Sequence, residues 1–203
     1  MEGYDSLPTL SLEPKLKIKS ESKEKVISDS LVSEGFTEVI NYSFISEDEE
    51  MVFGESKTMV EVENPISQNM RYMRSSLFPG LINTFTHNLN NGLYSQRLFE
   101  IGSVFSHKKS TTPMERTRVS GLICGDISLN HWLDKPRKVT FYDAKSYIEK
   151  IISSFDAAFN FEPKSSDFFH PGISSAIYND SKDIGILAVS YTHLRAHETR
   201  EDV

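Results

Sequence analysis

The stretch from Asn64 to Phe105, NPISQNMRYMRSSLFPGLINTFTHNLNNGLYSQRLFEIGSVF, constrains the fold most, because its punctuation spells a turn, a short strand, a helix and a second strand. Asn64-Pro65 starts the turn, since proline fixes its own φ and pushes its predecessor out of the helical region. Phe78, Leu81, Ile82, Phe85 and Leu89 recur at spacings of three and four, which predicts a helix capped by Ser75 or Ser76. Pro79 is compatible with that helix only in its first turn, where the N–H it lacks would have no intrahelical partner. Asn90-Asn91-Gly92 stops it, because Asn and Gly accept positive φ.

Elements of both periods flank this stretch. Upstream, a helix is expected from Ser22 to Glu34, with Glu21 and Glu24 at its positive end, Ile27 and Leu31 as its stripe and Gly35 closing it so that Phe36 folds back. A strand from Thr37 to Ile45 follows, with Ile40, Tyr42 and Phe44 on one face and Val39, Asn41 and Ser43 on the other. The run Glu47-Asp48-Glu49-Glu50 reads as a helix start, with Ser46 and Glu49 forming a capping box, and a strand from Thr58 to Glu63 then reaches Asn64-Pro65. Downstream, Ser106 to Arg118 reads as a polar loop, in its plainest form a solvated hairpin tip, and Arg118 to Cys124 as a strand turned by Gly125-Asp126. Thr140 and Asp143 box a helix whose stripe is Phe141, Ala144, Tyr147, Ile148, Ile151 and Phe155. A short strand from Phe159 to Glu162 and a turn at His170-Pro171-Gly172 precede a hairpin of Ile173 to Tyr178 and Ile184 to Val189. The sum is an α+β fold, an antiparallel sheet flanked by helices, in one domain of 203 residues.

Composition excludes several functions. Twenty-two Lys and Arg against 29 Asp and Glu give a net charge of -7, so any contact with nucleic acid must come from a local patch. One cysteine, Cys124, rules out an internal disulfide and a multi-thiolate metal site and fits a reducing cytoplasm. No apolar run is long enough to span a bilayer, and the N-terminus has no export signal, so no membrane partner is expected. His193 and His197 have a metal-like spacing, but the residue after the first is Leu194 where a metalloprotease helix needs Glu. His170 has neither a nucleophile nor an orienting acid marked beside it.

NPIS at Asn64, M-R-x-S-L-x-P-G-L-x-N from Met73, N-L-N at Asn88 and R-L-F-E-I-G-x-V-F from Arg97, with FYDAK at Phe141 and HPG at His170, resemble the core of the bacterial phenylalanyl-tRNA synthetase beta subunit. That resemblance implies a class II synthetase-like fold that does not itself perform chemistry. It implies an alpha subunit carrying the active site, an alpha2-beta2 heterotetramer, tRNA(Phe) as a ligand, and ATP and Mg2+ as cofactors of the whole enzyme, with none bound by this chain. By the same resemblance, residues 1–19 are a connector from a preceding domain and residues 20–189 the core; residues 190–203, SYTHLRAHETREDV, depart from the pattern and resemble a translated adaptor, which implies a non-native tail. The helix and strand around Ile27, Leu31, Ile40, Tyr42 and Phe44 match the first class II motif, which would form subunit interface. A helix packed on its own sheet is the other reading of that pair.

Two further expectations concern sites. Lys108, Lys109, Arg116 and Arg118 cluster where backbone phosphates of tRNA could be held, although no aromatic is interleaved to stack a base. In class II enzymes the second motif supplies R-x-E, whose two side chains share a strand face and clamp ATP. Here Arg97-Leu98-Phe99-Glu100 puts Arg97 and Glu100 on opposite faces, because side chains alternate with period two. No catalytic residue is therefore expected. The alternatives are an independently active class II ligase and a free-standing tRNA-binding module of the same fold.

Overall fold

The computed structural model describes residues 22–53, 59–107, 113–127, 136–155, 158–164 and 169–190. The proposed connector, the tail after Ser190, His193, His197, Lys108, Lys109 and Trp132 lie outside the described residues.

Helix α1 (Lys23–Ser33) begins where the Ser22 hydroxyl accepts a hydrogen bond from the Lys25 N–H. It ends as expected: Gly35 adopts φ +80°, and the Phe36 and Gly35 N–H groups return to the Leu31 and Val32 carbonyls. Phe36 is thereby folded against Leu31 and Phe99 in the core, with Ile27, Ile101, Ile123, Tyr147 and Ile151 around them. Strand β1 (Thr37–Glu38) follows, and β2 (Phe44–Ile45) leads into α2 (Glu47–Phe53). The capping box at α2 is present, with the Ser46 N–H donating to Glu49 Oε2 at 3.0 Å and the Glu49 N–H to Ser46 Oγ at 3.3 Å.

Strands β3 (Val60–Glu61) and β4 (Tyr72–Met73) flank a short 3-10 turn at Gln68–Met70. Helix α3 (Phe78–Asn90) starts later than either serine would place it: Leu77 is its N-cap, while Ser76 Oγ accepts from the Phe78 N–H and the Ser75 N–H donates to Glu50 Oε2. Pro79 sits in the first turn and Gly92 at φ +87° follows the last.

The antiparallel pair of β5 (Gln96–His107) and β6 (Pro113–Cys124) takes in both ends of the polar stretch from Ser106 to Arg118, and residues 108–112 lie outside the described residues. Its register is unbroken from Gln96 opposite Cys124 to His107 opposite Pro113, because a polar sequence on a solvent face pairs as well as an apolar one. Arg116 and Arg118 are thus strand residues. Helix α4 (Phe141–Ser153) precedes β7 (Phe159–Pro163), β8 (Phe169–Asn179) and β9 (Lys182–Ser190). Asp180 and Ser181, both at positive φ, make a two-residue turn between β8 and β9. His170-Pro171-Gly172 is not a turn but part of β8, where the register jumps between Phe169 and Ser174. A proline has no N–H to give the ladder, so the strand bulges there.

The α+β class holds, and among the described residues the sheet is divided: the strands form three sheets of three, mostly antiparallel, in the orders β1-β5-β6, β2-β4-β3 and β7-β8-β9. One pairing is parallel: Thr37 lies opposite Leu98 and Glu38 opposite Phe99. Between β1 and β5 the chain makes a long crossover through α2 and α3, which is what a parallel pair requires.

Candidate functional site

Two faces of β5 carry different chemistry. Toward α1 and α4, Arg97 donates to the Glu34 carbonyl at 3.0 Å and to the Ile127 carbonyl, and its guanidinium lies 5.8 Å from the Tyr147 ring centre. Phe99, fully buried on that face, meets Phe36 edge-on with centroids 6.5 Å apart. All of this is structural work: Arg97 ties a helix end and a loop to the sheet.

On the opposite face Glu100 is 2% exposed and Arg74 4%. Arg74 Nη1 donates to Glu100 Oε1 at 2.6 Å, and Arg74 Nε donates to the Ser103 carbonyl at 3.0 Å. The second carboxylate oxygen accepts from Asn41 Nδ2 at 2.7 Å, the Asn41 N–H reaches Oε1 at 3.3 Å, and Thr84 Oγ1 donates to Asn41 Oδ1 at 2.8 Å. Arg74, Glu100, Asn41 and Thr84 thus form one buried chain of hydrogen bonds, which is how a buried charge avoids its desolvation penalty. Arg74 and Glu100 both lie in the sequence motifs described above, but nothing local paired them. They are 26 residues apart and meet only when β4 packs on β5.

The interface candidates divide. Leu31 is in this chain's own core, and Ile27, partly buried, packs against it. The strand expected from Thr37 to Ile45 is interrupted, with residues 39–43 outside any sheet. Ile40 and Tyr42, 92% and 76% exposed, project from that segment, and Phe44 is half-buried beyond it. Burial alternates from residue 39 to 43, with 40 and 42 exposed between half-buried neighbours, and hydrogen bonds hold the segment. The Val39 N–H donates to the Phe99 carbonyl, Asn41 to Glu100, and the Ser43 carbonyl accepts from the Arg74 N–H. An open groove of about 570 Å³ lies alongside, lined among others by Asn41, Tyr42, Phe44, Met70, Gly80 and Asn83.

Of the tRNA-contact candidates, Arg116 and Arg118 are exposed and two residues apart on β6. Asp143 and Lys145, which match the family's pattern at α4, are occupied locally. Asp143 accepts from the Thr140 N–H at 2.8 Å and from both Arg137 Nη atoms at 2.7 and 2.8 Å. The hydrogen-bonded Arg137 guanidinium, helped by Thr140, holds the Asp143 carboxyl well below the usual carboxylate range. Lys145 lies over the Phe161 ring at 5.0 Å and 3.5 Å from Glu149. Glu50 in the acidic run is fully buried, and its Oε1 has no hydrogen-bond partner among the described residues. Also among the described residues, no group of three His, Cys, Asp or Glu could hold a metal, and no helix is long and apolar enough to cross a membrane.

The fold is class II synthetase-like. Pyrrolysyl-tRNA synthetase from Desulfitobacterium hafniense superposes with a TM-score of 0.59 at 13% identity, covering 80% of this chain and 53% of that one. The family of the phenylalanyl-tRNA synthetase beta chain CLM domain matches residues 5–195, and the chain belongs to it. It is 31% identical to the phenylalanine–tRNA ligase beta subunit of Coxiella burnetii over 95% of its length, and 33% identical to that of Aromatoleum aromaticum over 92%. It spans about a quarter of the length of these relatives, 25% and 24% respectively.

Proposed function

We propose that this chain is a non-catalytic core of the beta subunit of phenylalanine–tRNA ligase, whose work is to assemble with an alpha subunit for attachment of phenylalanine to tRNA(Phe). The carrying observation is the division of Arg97 and Glu100. Activation of an amino acid needs fixed positive charge on the ATP phosphates as negative charge shifts during transfer, and a clamp of Arg and Glu supplies it from one strand face. Here Arg97 is spent on two backbone carbonyls and a ring, and Glu100 on Arg74, on opposite sides of β5. The ATP and Mg2+ that the whole reaction requires then belong to the partner, in a cytoplasmic alpha2-beta2 assembly.

Ile40 and Tyr42 support the assembly role. Two large apolar side chains held out in solvent are what a subunit contact buries. Arg116 and Arg118, exposed on one strand, supply the local positive charge that a phosphate contact from tRNA needs on an otherwise acidic protein.

The test is co-expression with a closely related alpha subunit, affinity capture and light scattering, alongside phenylalanine-dependent pyrophosphate exchange by the chain alone. Stoichiometric capture with no exchange by the lone chain is the expected result. Exchange activity in the lone chain would establish an independent ligase. Salt-sensitive tRNA binding without capture of alpha would establish a free-standing tRNA module.

A further inference from the structure

The segment between β1 and β2 is patterned the wrong way round for a soluble protein. Its polar residue Asn41 is turned into the molecule, while its neighbours Ile40 and Tyr42 face solvent. Hydrophobic burial alone would rotate this segment by one residue, moving the two apolar side chains inward and Asn41 outward. Something must oppose that rotation.

We propose that the Arg74–Glu100 pair, acting through Asn41, is a positioning latch that holds residues 39–43 in the orientation presenting Ile40 and Tyr42 to a partner subunit. The inference rests on the docking reading above and names the residues that make the docking surface ready-made. Three positions of the segment are tied to the molecule, the outer two by backbone and the middle one by its side chain. The Val39 N–H is held by the Phe99 carbonyl at 2.8 Å, the Asn41 side chain by Glu100 at 2.7 Å and by Thr84 at 2.8 Å, and the Ser43 carbonyl by the Arg74 N–H at 2.9 Å. With the Asn41 side chain tied inward between these two backbone anchors, burial alternates along the segment: 39, 41 and 43 are half-buried while 40 and 42 stay exposed. The middle bond is the selective one, because the backbone bonds at 39 and 43 do not depend on residue identity whereas Asn41 must offer a donor to a carboxylate. Arg74 serves twice: its main chain holds Ser43, and its guanidinium holds Glu100 in place to receive Asn41.

Two glycines show how closely the latch is fitted. A Cβ on Gly80 would lie 2.8 Å from the Asn41 Cβ, and one on Gly102 would collide with Arg74 Nη2. Both sit in the recognisable motifs of the sequence, P-G-L and E-I-G, and both leave room for a member of this network. A docking loop held in its bound shape loses little conformational freedom on association, which is the benefit of preorganisation.

The test removes the donor at position 41 and leaves the Arg74–Glu100 pair intact. Asn41→Asp in the full chain sets two carboxylates against each other. Amide hydrogen exchange, read by mass spectrometry on the chain alone, is expected to rise at least tenfold over residues 39–43 in Asn41→Asp, with β5 and α3 little changed. Capture of the alpha subunit is expected to fall about tenfold in parallel. Unchanged exchange at 39–43, or an increase spread equally over β5 and α3, would each overturn the latch. Ile40→Ser separates the two readings, since it removes docking surface and leaves the latch bonds intact. If Ile40→Ser leaves capture at wild-type strength, docking at this surface is overturned while the exchange result still decides the latch. If Ile40→Ser abolishes capture but Asn41→Asp loosens the segment without weakening capture, the positioning role is overturned and the docking reading stands.

Discussion

Arg74 and Arg71 are three residues apart and each forms an ion pair, yet their surroundings separate their consequences. Arg71 meets Glu61 at 2.6 Å with both side chains about half exposed, a setting where solvent screens the attraction. Arg74 meets Glu100 at the same 2.6 Å with both side chains nearly inaccessible, so removing one partner strands a buried charge. Arg74→Met is therefore expected to cost about 3–5 kcal/mol in chemical denaturation, and Arg71→Met to leave the midpoint nearly unmoved. Gly102→Ala probes the same place by volume. The added methyl meets a guanidinium already fixed by two hydrogen bonds, which converts a small substitution into an overpacked one costing about 1–3 kcal/mol. A pair of similar stability to Arg74→Met and Arg71→Met would contradict the buried network.

At the scale of elements, the start of α4 responds to acid. Asp143 closes the capping box with Thr140 and holds Arg137, and those bonds keep its folded-state pKa below the value of about 4 expected in an unfolded chain. A depressed carboxylate binds fewer protons folded than unfolded, so its contribution is complete above the unfolded pKa and is lost as pH falls toward the folded one. Stability measured by urea midpoint should thus decline below about pH 4 more steeply in wild type than in Asp143→Asn, which already lacks the ionised carboxylate. Equal acid slopes in the two proteins would remove Asp143 from this role. The β8–β9 turn offers the opposite sign of change. Asp180 and Ser181 hold φ of +46° and +66°, a region that L-residues enter at a cost and that Asn-Gly occupies readily. The combined Asp180→Asn, Ser181→Gly variant is expected to gain about 1 kcal/mol in thermal unfolding, and a loss would mean the turn is held by other contacts.

Across the whole molecule, the sheet orders leave β6 and β9 at edges among the described residues. Strand β6 is twelve residues long, carries exposed Val119, and presents unpaired backbone groups of the kind that recruit another strand. Concentration-dependent self-association of the isolated chain is expected, and Val119→Lys should reduce it in light scattering without altering helix content. Association unchanged by that charge would point instead to the surface around Ile40 and Tyr42, which the alpha subunit would then suppress and Val119→Lys would not.

The sequence by itself determined whatever is settled within a few residues. The serine and threonine caps with their reciprocal acids at α2 and α4, the glycine that ends α1, the helical stripe of α3 and the two strands of the last hairpin were all legible, because a cap or a period is complete within one or two turns of chain. The opposite facing of Arg97 and Glu100 was legible for the same reason, since alternation along a strand needs no partner. Only the tertiary structure decided the parallel pairing of β1 with β5, the division into three sheets and the interruption of the strand expected at 37–45. It also decided that Ile27 and Leu31 turn into the chain's own core while Ile40 and Tyr42 turn out. Those outcomes rest on contacts between segments far apart in the chain, as where Glu100 meets Arg74 across 26 residues and Asn41 across 59, and a contact between such distant residues leaves no local pattern in either segment.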